Sequence, residues 1–340
     1  MPEEALLTPA AAAAPDAREP RGAAILSVGA SLPARSVSND EVAARIGKTD
    51  EWIYTRTGIR ERRHAEPHER LTDVAAVASR AALERAGVDA ADLDLVVVGT
   101  LTPDERMPNA AATLAQALGA PSAGTVEVNA ACSGFLTALS IGAAHVESAR
   151  AERVLVVGAD FISRITDHDS KQTAMLFADG AGAVVIGPTR PGPSGAGRVG
   201  PVLLRADASA PEVLFLSREG GATIEMDGHE TFKHAVARMT EITQEAVAAA
   251  GLTLADVDLF VYHQANGRII SAVGERLELP AERVVDCIER AGNMSAASIP
   301  YALDVARADG RLRDGARVLL AAFGGGFTWG GTVVEWGPDV

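Results

Sequence analysis

Cysteine is scarce in this chain: 340 residues hold two, Cys132 and Cys287. That excludes a disulfide-stapled scaffold and makes the cytoplasm the natural compartment. No run of 18 apolar residues occurs, so no membrane span is expected. Positive charge is in deficit: 31 Lys and Arg against 45 Asp and Glu leave a net −14. Such a balance argues against nucleic acid as the main partner, because phosphate binding needs a basic surface. The start, Met-Pro-Glu-Glu, lacks the basic region of a secretory signal. Whole-chain disorder is excluded as well, since 47% of the residues are hydrophobic and 22% charged.

What is present reads as α/β. Residues 1–21 are rich in Ala and Pro without apolar periodicity and are expected to be a disordered leader. Beyond them, short β-branched runs such as Leu93-Asp-Leu-Val-Val-Val98 and Arg153-Val-Leu-Val-Val-Gly158 alternate with Ala-rich helical stretches. Continuous apolar strands between helices predict sheets buried on both faces. An internal repeat is visible. Residues 82–97 and 246–261 share eight of 16 positions at an offset of 164, and the same offset pairs Asn129 with Asn293. Either two α/β units resemble each other by chance, or the chain consists of two duplicated halves meeting in the Pro/Gly-rich loop 188–197. Gly195-Ala-Gly-Arg-Val-Gly200 in that loop matches a dinucleotide fingerprint in letters only. It follows a linker and precedes a strand-like run, where the fingerprint needs a strand before it and a helix after it.

Cys132 carries the strongest chemical signal. Thr125-Val-Glu-Val-Asn-Ala-Ala-Cys132-Ser-Gly reads as a strand, a turn of small residues, and a helix start. A helix N-terminus favours a thiolate, by up to about one and a half pKa units. A buried structural cysteine is the competing reading. Cys287, in Arg283-Val-Val-Asp-Cys-Ile288, reads as a core strand residue with no helix start. His64, His68 and His168 lie in polar stretches and read as solvated loop; His145, His229 and His234 fall on helices without polar clusters. His263 differs. It follows the strand Val257-Asp-Leu-Phe-Val-Tyr262 and matches Gly99 in the repeat, so the fold does not require it. Asn293 opens a later helix as its partner Asn129 opens the helix of Cys132, and under a two-fold the two helix starts face each other. An N-cap is the plain alternative for Asn293. Ala321-Ala-Phe-Gly-Gly-Gly-Phe-Thr-Trp-Gly330 allows close backbone approach and N–H donors for an oxyanion, or simply a tight turn.

Six segments in order give a specific resemblance: Glu51-Trp-Ile-Tyr-Thr-Arg-Thr-Gly-Ile-Arg60, Asn129-Ala-Ala-Cys132-Ser-Gly, Phe177-Ala-Asp-Gly-Ala-Gly-Ala183, His263-Gln-Ala-Asn266, Gly292-Asn-Met-Ser-Ala-Ala-Ser298 and Phe323-Gly-Gly-Gly-Phe-Thr-Trp-Gly330. From residue 23 to 336 the chain resembles the β-ketoacyl-acyl-carrier-protein synthase III family of thiolase-like condensing enzymes. The resemblance implies an α/β, thiolase-like five-layered αβαβα fold from two duplicated halves, residues 22–190 and 199–340. It also implies a homodimer with no cofactor beyond its substrates, acyl-CoA and malonyl-acyl carrier protein. Cys132 would carry the acyl group, the Cys132 and Gly325 amides would form the oxyanion hole, and His263 and Asn293 would hold the malonyl thioester carbonyl. Phe323 stands where degradative thiolases place a basic cysteine.

Trp52 and Arg56 match residues flanking the CoA nucleotide. Lys171 stands where the family has a second stacking arginine, a change that removes the planar fork. Phe232, Asn266 and Arg268 match residues of the pantetheine channel. The turn Gln264, Ala265, Asn266, Gly267 and Arg268 resembles the carrier-protein contact, which reconciles a −14 enzyme with an acidic carrier. Residues 206–223 are shorter than the family's usual loop, and Met294 replaces a threonine. The departures at Lys171 and in that loop support an alternative on the same scaffold: an acyltransferase or ligase of specialised metabolism. A non-catalytic subunit is disfavoured because Cys132, His263 and Asn293 are all kept. A cysteine hydrolase needs only the first two.

Overall fold

The structure, a computed structural model, describes residues 21–189, 198–216 and 223–337. Residues 1–20 of the expected leader and the fingerprint-like glycines Gly195 and Gly197 lie outside the described residues. Arg21, assigned above to the leader, is instead anchored: it donates to Val146 O and Ala151 O and pairs with Glu152 at 2.7 Å.

The first part of the chain runs β1 (Ala23–Ser31), β2 (Ser36–Ser38), α1 (Asn39–Ile46), α2 (Asp50–Thr57), β3 (Glu61–Arg63), α3 (Leu71–Ala86), β4 (Leu95–Gly99), α4 (Ala110–Leu118), β5 (Gly124–Val128), α5 (Gly134–Glu147), β6 (Val154–Phe161) and β7 (Asp179–Pro188). The second part runs β8 (Leu203–Ala206), β9 (Leu214–Leu216), β10 (Ile224–Met226), α6 (Gly228–Ala249), β11 (Leu259–Tyr262), α7 (Gly267–Arg276), α8 (Ile288–Ala291), α9 (Ser298–Ala308), β12 (Arg317–Gly324) and β13 (Thr328–Glu335).

Two sheets form the frame, ordered β1-β7-β6-β4-β5 and β8-β13-β12-β11. The second continues past β11 through a parallel bridge between Phe260 and Val284, in the place β5 holds in the first. Each sheet is apolar on both faces. Val97 and Val156 of the first and Val261 and Leu320 of the second point into one shared core with Phe135 and Leu139 of α5 and Ile299 and Leu303 of α9. The alternate residues Val96 and Val157 face α3 and α4, and Phe260 and Leu319 face α6 and α7. The layers are therefore helices, sheet, helices, sheet, helices: the expected five-layered αβαβα, thiolase-like fold. Strands covered on both faces are mostly apolar on both, which is why they lack the alternation of a half-exposed strand.

The 164-residue offset holds in the backbone. Strands β4 and β11 start at 95 and 259, and helices α5 and α9 at 134 and 298. The 3-10 turns ahead of those helices span Ala131–Ser133 and Ser295–Ala297. Even the strained residue repeats: Ala131 has φ +46° and Ser295 φ +47°.

The two turns touch because small residues let them. A Cβ on Gly158 of β6 would lie 2.2 Å from Ala296 O, and one on Gly99 2.5 Å from Gly134 O. Gly158→Ala is expected to destabilise the protein by about 3 kcal/mol, the cost of overpacking a rigid contact, seen as a lower urea midpoint. A midpoint equal to that of the unmodified protein refutes the tight contact.

Candidate active site

The nucleophile candidate sits on a clamped turn. After β5 the chain passes Asn129, whose Oδ1 accepts from Ala131 N, and enters the left-handed Ala131. Ser133 Oγ donates to Ala130 O at 2.7 Å and lies 2.9 Å from Thr328 Oγ1, which itself donates to Ala130 O at 3.1 Å. Thr328 of β13 thus ties the turn of the first half to the sheet of the second. The end of β12 arrives at the same point. A Cβ on Gly324 would lie 2.7 Å from Cys132 N, so only glycine fits there, and Gly325 follows beside Cys132 in the cavity wall.

The thiol does not gain from the helix start as expected. Burial pushes Cys132 up to about 12, the nearby Asp160 carboxylate adds to the rise, and the Ser295 hydroxyl and the Cys132 amide offset only part of it. Desolvation between the two packed turns outweighs the partial charge of a helix end, whose effect is about 0.3–2 kcal/mol.

His263 follows β11 and is 2% exposed. Its amide is fixed on Ala321 O at 2.8 Å. Its Nδ1 lies 2.5 Å from Ser298 Oγ, which accepts from Gln264 N at 3.3 Å. With that oxygen already accepting, the Ser298 O–H is free to donate to Nδ1, and the ring proton is then assigned to Nε2. The Nε2 atom is buried and has no partner among the described residues. Burial lowers His263 to about 3, so the ring is neutral near pH 7. Asn293 is held by main-chain pairing with Leu176 and Ala178; its Nδ2 donates to Ala265 O, and its Oδ1 accepts from Ser295 N in the manner of a cap.

Two cavities of about 340 Å³ each meet at Cys132. The first holds Cys132, His263 and Asn293 together, with Arg56, Phe232, Ala265, Asn266 and Arg268 along its walls. The second is apolar, lined by Leu101, Ile162, Phe177, Phe215, Leu216 and Ile224 beside Cys132 and Gly325.

Other expected residues lie elsewhere. Trp52 stacks under Arg56, 4.3 Å from the ring centroid, and neither it nor the exposed Lys171 lines either cavity. Gln264 is fully buried, donating to Tyr262 O and Val285 O and accepting from Cys287 N. It therefore supports the turn and cannot touch a carrier; of its neighbours, Gly267 packs on Thr57 and Gly58 while Arg268 is exposed. Cys287 is half-buried and precedes the short α8 rather than lying in a strand. Met294 is fully buried against Gly180.

Comparison with known proteins bears on this arrangement. Residues 126–208 match the family model for 3-oxoacyl-[acyl-carrier-protein (ACP)] synthase III, and residues 247–336 that for its C terminal. The chain is 44% identical over 321 residues to a β-ketoacyl-[acyl-carrier-protein] synthase III of Methylococcus capsulatus, covering 92% of this chain and 98% of the relative. It belongs to the 3-oxoacyl-[acyl-carrier-protein] synthase III family. Among solved structures, the synthase III of Aquifex aeolicus superposes with a TM-score of 0.88 at 38% identity, covering 93% of this chain and all of the other. The priming β-ketosynthase of the R1128 polyketide pathway gives 0.90 at 40% identity, covering 96% of this chain and all of the other. No helix among the described residues of this synthase III family member is long and apolar enough to cross a membrane.

His64 is also unlike its sequence reading. It is 7% exposed, with Nε2 3.2 Å from Phe177 O and its ring 5.4 Å from that of His168. It props the Phe177 main chain, whose side chain lines both cavities. Burial lowers it to about 4, with smaller contributions from His168, Arg62 and Arg35. A depressed histidine contributes a stability that is lost as pH falls from about 6.5 through 4, because the unfolded chain takes the proton first. The loss from this one group is on the order of 3 kcal/mol at pH 4. His64→Gln is expected to flatten the fall in Tm between pH 6.5 and 4; an unchanged slope refutes this.

Proposed function

We propose that the protein is an acyltransferase that performs an initiating, decarboxylative condensation: an acyl-CoA starter joins malonyl-acyl carrier protein to give a 3-ketoacyl-acyl carrier protein. The observation that carries the reading is one cavity holding a thiol, an unpartnered neutral imidazole and a carboxamide, opening at the thiol into an apolar chamber.

In this reading Cys132 sulfur attacks the acyl-CoA carbonyl, and the Cys132 and Gly325 amides receive the oxyanion. The carbon–sulfur bond to CoA breaks, CoA leaves as its thiol with the Cys132 proton, and the acyl group remains on Cys132 in the apolar chamber. A thiol held up at about 12 forms little free thiolate, so the proton leaves in the same step as the bond forms. Malonyl-carrier protein then enters the first cavity with its thioester oxygen between His263 Nε2–H and Asn293 Nδ2–H. Loss of CO₂ leaves its electron pair as an enolate on that oxygen, and the enolate carbon attacks the acyl carbonyl. Product departs and the Cys132 thiolate regains a proton. Neutral donors suit the step: decarboxylation generates the carbanion, so no base has to remove a proton, and an uncharged donor costs less to bury than a cation.

Arg56, Phe232, Asn266 and Arg268 would line the path of the pantetheine arm. Arg56 and Trp52 would meet the nucleotide of acyl-CoA, with Lys171 giving no stacking surface. The exposed Arg268 would meet the acidic carrier. Relatives named for synthase III and for polyketide priming favour this condensation over the ligase alternative. The reading includes a cytoplasmic homodimer that needs no cofactor beyond its two substrates.

Intact-mass spectrometry after exposure to acyl-CoA should show one acyl group on the protein and none on Cys132→Ala. His263→Ala should still acylate but lose condensation with malonyl-carrier protein by about 10²–10³-fold, the usual cost of one oxyanion donor. Because His263 stays neutral above about pH 3, the condensation half-reaction should show no ionisation limb between pH 5 and 8. Acyl transfer that persists in Cys132→Ala overturns the reading.

A further inference from the structure

One buried hydroxyl beside the nucleophile has no role in these steps. Ser295 is 1% exposed and lines the apolar cavity with Cys132, and its Oγ makes no hydrogen bond of acceptable geometry among the described residues. An unsatisfied buried hydroxyl is costly, and so is the left-handed φ of +47° at a residue that bears a Cβ. The repeat separates the two costs. Ala131, the counterpart of Ser295, has the same φ without a hydroxyl, so the conformation belongs to both halves and the hydroxyl to one.

Behind Ser295 lies Asp160 of β6, fully buried. Its Oδ1 accepts from Thr100 Oγ1, Leu101 N and Thr102 Oγ1, while its Oδ2 accepts from Ala296 N at 3.2 Å, the residue next to Ser295.

We propose that Ser295 is a positioning residue for the Cys132 sulfur. Its single proton faces Asp160 while the sulfur is a thiol, and turns to the sulfur as negative charge develops there. The same hydroxyl favours the charged forms of both Cys132 and Asp160, whereas Asp160 itself opposes the thiolate. This deepens the reading of Cys132 as nucleophile and rests on it. The other groups around the sulfur do not compete. His263 is neutral, β12 and β13 bring Phe323 and Thr328, and Arg56, Arg268 and His229 line the walls of the first cavity.

The test is the pH dependence of Cys132 alkylation by iodoacetamide in the full chain, with peptide mass separating Cys132 from Cys287. Ser295→Ala and Ser295→Gly should both move the profile to higher pH and slow modification at pH 8 about threefold to tenfold, as expected for up to about one pKa unit. Asp160→Asn should move it the other way. The Ser295 pair decides the matter alone, since Asp160→Asn also disturbs an acceptor of four hydrogen bonds. A Ser295→Ala profile that overlays the unmodified protein overturns the proposal. So does a Ser295→Gly profile that overlays it while Ser295→Ala is slowed, because backbone strain would then be the cause. If Cys132 in the unmodified protein reacts no faster than Cys287, the nucleophile reading beneath it fails instead.

Discussion

Everything at the centre of this protein depends on how closely two 3-10 turns approach. Gly99, at the C-terminal end of β4, and Gly158, within β6, lie so near Gly134 O and Ala296 O that no side chain fits between. The approach brings Cys132 of one turn against Ser295 of the other and sets Asn293 and His263 around the same cavity. Packing of small residues, rather than any charge pair, therefore determines where Cys132, His263 and Asn293 meet. Rigid interiors transmit such constraints because they have little free volume to absorb a shift.

The second constraint is electrostatic, and it runs against the first. A site closed by two packed halves is poorly solvated, so ionisation within it is costly. Cys132 is pushed up and His263 down, each toward its neutral form. Donors with no net charge are what such a place tolerates. Ser298 Oγ lies against Nδ1 of His263 and leaves Nε2 facing the cavity, and Ala265 O with Ser295 N fixes the carboxamide of Asn293.

Much of this was legible in the residues. The offset of 164 paired residues 82–97 with 246–261 and Asn129 with Asn293, and the unalternating apolar strands required cover on both faces. Cys132, His263 and Asn293 were visible because each stands at the end of a strand or the start of a helix, and His263 also because its repeat partner is a glycine. Other features depend on what folds over them. A polar run around His64 looks solvated until the Phe177 main chain closes on it. Gln264 lies in a turn that reads as exposed, yet its amide is spent on Tyr262, Val285 and Cys287. The helix-end argument for Cys132 was sound locally, but the core that desolvates the sulfur comes from both halves, which no local segment reveals. The apolar chamber draws Leu101, Ile162 and Phe215 from three distant segments, and nothing in their spacing announces it.

The repeat also bears on ancestry. Position 99 is glycine where 263 is histidine, and position 131 is alanine where 295 is serine. The thiol has been kept on one copy and the hydrogen-bonding apparatus on the other. Two identical copies of either half would assemble a centre with two sulfurs and no imidazole, or an imidazole pair with nothing to carry a load. A chain paired from two copies of one half would therefore lack part of the proposed set of Cys132, His263 and Asn293.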